Sequence, residues 1–128
     1  MDRQSTRSSL ARAIGLGSAK AGSRSWWAER VSAVALVPLT LWFAASIIAH
    51  TGSDYGTFIG WMRSPLTATL TILLLIALFH HAAHGLQVVI EDYVHSGARF
   101  ALVIAVRLGT IALGTAGVVA TLRIAFLG

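Results

Sequence analysis

Cysteine is absent from this chain. That excludes internal disulfides and iron–sulfur clusters held by its own thiolates, and leaves the redox compartment open. Charge is scarce too: Asp, Glu, Lys and Arg together make up 12% of the residues, about half the share of a soluble domain. No internal repeat or low-complexity array is visible. What is abundant is apolar. Hydrophobic residues reach 55% of 128 and the mean hydropathy is +0.72, which places the chain among membrane proteins of a single domain, residues 1–128.

The net charge of +5 raises nucleic acid as a partner, but six of the ten basic residues precede Val31. A basic end joined to apolar segments is the pattern of a membrane flank, so no nucleic-acid partner is expected. Residues 1–25, rich in Ser, Gly, Ala and Arg, have the flavour of a transit peptide. Asp2 and the lack of a following secretory apolar core favour a basic arm, flexible or lying on the surface, with a short interfacial helix over Leu10–Leu16.

The rest reads as an all-α membrane protein with three transmembrane helices, at about 31–49, 66–90 and 100–126. Trp26 and Trp27 beside Arg30 anchor the mouth of the first span, and Pro38 lies inside it. The segment 50–65 is a turn-rich connection. From Leu66 to Ile90 there are 25 residues without a formal charge, enough to cross a bilayer. The third span contains Arg107, about two turns inside, which faces the bundle or a lipid or cofactor phosphate or carboxylate. Three spans put the termini on opposite sides. The excess of Lys and Arg before the first span then predicts a cytoplasmic N-terminus and a periplasmic C-terminus.

The middle span carries His80, His81 and His84. Ionisable side chains halfway through such a helix should face protein or a cofactor. At ~100° and ~1.5 Å per residue, Ala77, Gly85 and Asp92 share the face of His81. Small residues above and below an imidazole leave a flat recess that the edge of a porphyrin needs. His80 points ~100° away and His84 ~60° in the opposite sense, so one face cannot use all three. A closed zinc site wants four ligands, and no Asp, Glu or Cys lies at this depth; haem needs one or two. Two histidines of one helix do not bracket a macrocycle, and His50 is several turns from the depth of His81, so a second axial ligand must come from another polypeptide. Tyr93, ~18 Å along the axis from His81, is a phenol at the membrane boundary beside a carboxylate. It suits either an aromatic belt or hydrogen bonding to a quinone carbonyl, with Asp92 as proton relay or as partner of Arg99. Ser32 is a candidate quinone or propionate contact, or a hydroxyl bonded to its own helix.

The run His81-Ala-Ala-His-Gly85-Leu-Gln-Val-Val-Ile-Glu-Asp92-Tyr93 resembles the H-x-x-x-G-x(6)-D-Y signature of the hydrophobic membrane anchor of succinate dehydrogenase, respiratory complex II. Leu16–Leu39 is similar to alphaproteobacterial members of that family. The resemblance covers residues from about 16 to 95. It implies a multi-pass chain of the bacterial inner membrane that pairs with a second three-helix cytochrome b anchor, binds haem b between the two, and docks a flavoprotein and an iron–sulfur subunit. It implies His81 as axial ligand of the haem iron and Tyr93 as hydrogen-bond donor to ubiquinone. It also implies Asp92 at the quinone site and Arg30 near the quinone and haem propionates. With no flavin or iron–sulfur motif here, the electrons of succinate oxidation would arrive from the partners, and this chain would be a non-catalytic anchor subunit that contributes to the quinone site. The competing readings are the cytochrome b anchor of a fumarate reductase, and a non-redox assembly or transport subunit with histidines along a polar path.

Overall fold

The computed structural model describes the backbone of residues 3–127 and the side chains of residues 23–127. Four helices follow one another: α1 (Arg3–Ala49), α2 (Tyr55–Arg63), α3 (Pro65–Tyr93) and α4 (Ala98–Phe126), with no strand among the described residues. Among the described residues three stretches are long and apolar enough to cross a membrane, namely Ser23–Ala49, Pro65–Tyr93 and Ala98–Phe126. The expected three-span, all-helical architecture is therefore observed, with longer helices than the charge-free runs suggest. Glu29 and Arg30 do not interrupt α1, which runs through them.

The chain divides into two compact units, Met1–Val31 and Ser32–Gly128. In the first, the rings of Trp26 and Trp27 meet edge to face at 5.0 Å, and the Arg30 guanidinium stands 5.0 Å over Trp26. That arrangement keeps a cation on an aromatic face. The expected basic arm belongs to this unit, and the side chains of residues 1–22 lie outside the described ones.

In the second unit, α1 continues past Pro38, whose missing N–H leaves the carbonyl of Val34 without its helical donor. Thr40 caps the neighbouring carbonyls of Leu36 and Val37 with its hydroxyl. The turn after α1 uses Gly52 at φ +83, a left-handed conformation that glycine adopts without penalty. The connection then folds into α2, where only turns were expected. Its first turn is pinned by Thr57, whose hydroxyl donates to the carboxylate of Asp54. Its aromatic side stacks back on the end of α1, with Trp61 on His50 at 4.5 Å and against Trp42 at 6.2 Å. Ser64 separates α2 from α3, which opens on Pro65, a residue suited to the first helical position because it has no N–H to leave unpaired.

Four residues, 94–97, link α3 to α4, so the two run antiparallel as a hairpin. Small residues set their spacing. A Cβ on Gly117 would stand 3.1 Å from Leu75, and one on Gly114 would stand 3.4 Å from Phe79. These two glycines let bulky side chains of α3 seat against the backbone of α4, the usual means of close helix approach in lipid. Thr121 is buried and returns its hydroxyl to the Gly117 carbonyl at 2.9 Å, so it enters the apolar contact with its polarity satisfied.

Candidate functional site

The three histidines of α3 occupy different surroundings. His80 and His84 line a groove of about 520 Å³ between α3 and α4, together with Leu75, Phe79, Gln87 and Arg107. On a helix of ~100° per residue, the side of α3 that faces this groove is centred roughly 145° away from His81. His81 lies on the opposite side, half-buried. Its Nδ1 is shielded from solvent and has no hydrogen-bond partner among the described residues. A buried, unpaired polar atom costs about 1–3 kcal/mol unless something else satisfies the group.

Beside it the surface steps inward. Gly85, one turn on, is exposed, and nothing lies within 4 Å of where a Cβ would stand. The recess expected between Ala77 and Gly85 is therefore open at its glycine end. With Nδ1 enclosed, the ring nitrogen that His81 can offer outward, to the iron of a flat macrocycle for instance, is Nε2. A protein-only metal cluster does not form: among the described residues no three of His, Asp and Glu converge. The divergence of adjacent positions on a helix accounts for this, since His80 and His81 point ~100° apart.

Asp92 and Tyr93 end α3, both exposed, Tyr93 at 81%. Neither side chain hydrogen-bonds to a described residue, so the phenol is free to donate elsewhere. Arg30 is seated on Trp26 within the first unit. Ser32 is buried at 8% and engaged in contacts of its own. His50 is already committed: its Nδ1 donates to the Ser46 carbonyl at 2.8 Å and its ring stacks on Trp61.

One polar relay was not anticipated. Arg107 donates from Nε and Nη2 to Oε1 of Gln87 at 3.1 and 2.9 Å, and the Gln87 amide donates to Glu91 at 2.8 Å. Arg107, expected to face the bundle or a lipid or cofactor phosphate or carboxylate, reaches across to α3 while staying exposed. The signal for Gln87 was present in the sequence as an amide one helical turn before a carboxylate, on the helix antiparallel to a buried-depth arginine.

Comparison with known proteins agrees with the composition and the three spans. Residues 4–116 match the family model described as succinate dehydrogenase/fumarate reductase transmembrane subunit. A succinate dehydrogenase hydrophobic membrane anchor subunit from Rickettsia bellii is 36% identical over 106 residues, covering 82% of this chain and 85% of the relative. The subunit of the same name from Paracoccus denitrificans is 36% identical over 92 residues, 72% and 71% of the two chains. That from Rickettsia conorii is 29% identical over 116 residues, 89% and 92%. No solved structure matches the chain.

Proposed function

This chain belongs to the succinate dehydrogenase/fumarate reductase transmembrane subunit family, within it to the hydrophobic membrane anchors of succinate dehydrogenase, and from that membership we propose that it holds one side of a haem b and helps form a ubiquinone site. His81 is the axial ligand it contributes. The observation that supports this reading is the placement of the His81 ring on the side of α3 away from the α3–α4 groove, where the enclosure of Nδ1 leaves Nε2 as the nitrogen to offer, one turn from the exposed Gly85. A second ligand would come from a second three-helix anchor: among the described residues His80 and His84 line the groove on the other side of α3, and His50 is bonded to the Ser46 carbonyl. Haem, when bound, supplies a one-electron carrier within the bilayer.

The remaining roles belong to the end of α3 and the start of the first span. Tyr93 donates a hydrogen bond to a ubiquinone carbonyl, which polarises it toward reduction. Asp92, adjacent and open to water, relays the proton that reduction requires. Arg30, whose guanidinium rests on Trp26, is by family membership a candidate cation for a quinone or a haem propionate. Succinate is oxidised on partner subunits, a flavoprotein and an iron–sulfur protein, which dock on the cytoplasmic side where the basic N-terminal flank lies. The location is the bacterial inner membrane, with the N-terminus cytoplasmic and the C-terminus periplasmic.

Two measurements test this. Membranes containing the assembled complex should show a b-type reduced-minus-oxidised spectrum that His81→Ala removes; an unaltered spectrum rejects the ligand. Tyr93→Phe should slow succinate-to-ubiquinone electron transfer up to about tenfold, the worth of one hydrogen bond, while succinate-to-dye activity stays unchanged. Equal losses with both acceptors reject the role of Tyr93.

A further inference from the structure

The groove between α3 and α4 lies on the side of α3 turned away from His81, and the haem and quinone assignments make no use of it. We propose that it holds one phospholipid of net negative charge from the leaflet beside the α3–α4 link, its phosphate on Arg107 with no headgroup cation to compete, and an acyl chain along the apolar slot beyond.

The depth is right for a headgroup. Arg107 is nine residues into α4, ~13 Å from its start. A 29-residue helix is ~43 Å long against a hydrocarbon core of ~30 Å. The Arg107 backbone therefore lies roughly 7 Å below the boundary, a distance an arginine side chain covers by snorkelling. Its Nε and Nη2 are held on Gln87, which fixes the fork, while Nη1 has no acceptor among the described residues. Oriented guanidinium N–H groups are what a phosphate oxygen binds.

Charge complementarity points the same way. No carboxylate lines the groove, whose ionisable members are Arg107, His80 and His84. From Gln87 to Leu75 the slot runs twelve residues along α3, ~18 Å, walled by apolar side chains such as Phe79 and Val118. An acyl chain is one methylene wide and brings no polar group into that slot.

The test uses the complete complex, stripped of lipid in detergent and titrated with phosphatidylglycerol or phosphatidylcholine, with retained lipid counted by native mass spectrometry. The wild type should retain phosphatidylglycerol in preference to phosphatidylcholine. Arg107→Gln should lower phosphatidylglycerol retention roughly fivefold, the effect of one cation near a lipid phosphate, with Arg107→Lys keeping most of it. Inorganic phosphate at equal concentration should not displace the lipid. Val118→Trp, which fills the slot, should lower retention although the cation remains. The b-type spectrum should survive Arg107→Gln, so failure here and failure of the His81 assignment are separable. Equal retention by wild type and Arg107→Gln, equal retention of the two lipids, or displacement by inorganic phosphate overturns the proposal. So does a photocrosslinker at Thr115 that captures a polypeptide instead of a lipid.

Discussion

The two sides of α3 carry the same residue type to opposite ends. Toward α4, His80 and His84 share a groove with an arginine whose hydrogen bonds are made within the chain. Away from α4, His81 has one nitrogen sealed off without a partner and a glycine step beside it. A histidine among polar neighbours needs no further explanation; an isolated one does. The difference shows that a cluster of ligand-type residues in sequence is not a cluster in space.

The comparison can be broken most decisively by exchanging the histidines. His80→Ala and His84→Ala should leave the b-type spectrum in place, whereas His81→Ala should abolish it; loss in His84→Ala with retention in His81→Ala inverts the assignment. Next in size are the glycines of the two sides. Gly117→Val drives a side chain into Leu75 and should destabilise the hairpin by about 1–3 kcal/mol, measured as a lower denaturation midpoint in detergent. Gly85→Val meets nothing within the chain. It should leave that midpoint nearly unchanged while reducing haem content several-fold, and equal stability losses at the two glycines would erase the distinction. A smaller effect belongs to Gln87→Leu, which removes the acceptor of Arg107; in lipid such a bond is worth about 0.6 kcal/mol and at most ~1.7.

The smallest effect lies outside both faces. The hydroxyl of Thr57, ahead of the local backbone N–H groups, holds the Asp54 carboxyl below its ordinary value of 3.8. A depressed carboxylate stabilises the fold above its unfolded pKa, and that contribution fades as pH falls through the folded value. Thr57→Ala should move the Asp54 titration upward in carboxyl NMR, with little change in stability because the group is exposed.

Much of this was legible in the residues. Charge-free runs exposed the three spans, and ~100° per residue was enough to separate His80 from His81 before any coordinates. The recess at Gly85 followed from the same arithmetic. Helix α2 did not, because Gly56, Gly60 and Ser53 read as turns. Its helix is sustained by rings from elsewhere, Trp42 and His50 against Phe58 and Trp61; the helical spacing of Phe58, Ile59, Trp61 and Met62 was there to read, but the two glycines masked it. The Gln87–Arg107 bond was hidden for a related reason: it depends on the register of the hairpin, which the close seats at Gly114 and Gly117 decide. The sealed Nδ1 of His81 is a matter of burial, and a helical wheel carries no information on depth within the bundle.

That aromatic corner has a mechanical side. Trp61 and Phe58 tie α2 to the far end of α1, while α2 itself rests on both α3 and α4. Membrane helices lean when the surrounding bilayer thins or thickens, and a lean of the first span would be handed through this stack to the other two as a shared tilt. The corner thus works as a linkage that keeps three rods in step as the lipid around them changes.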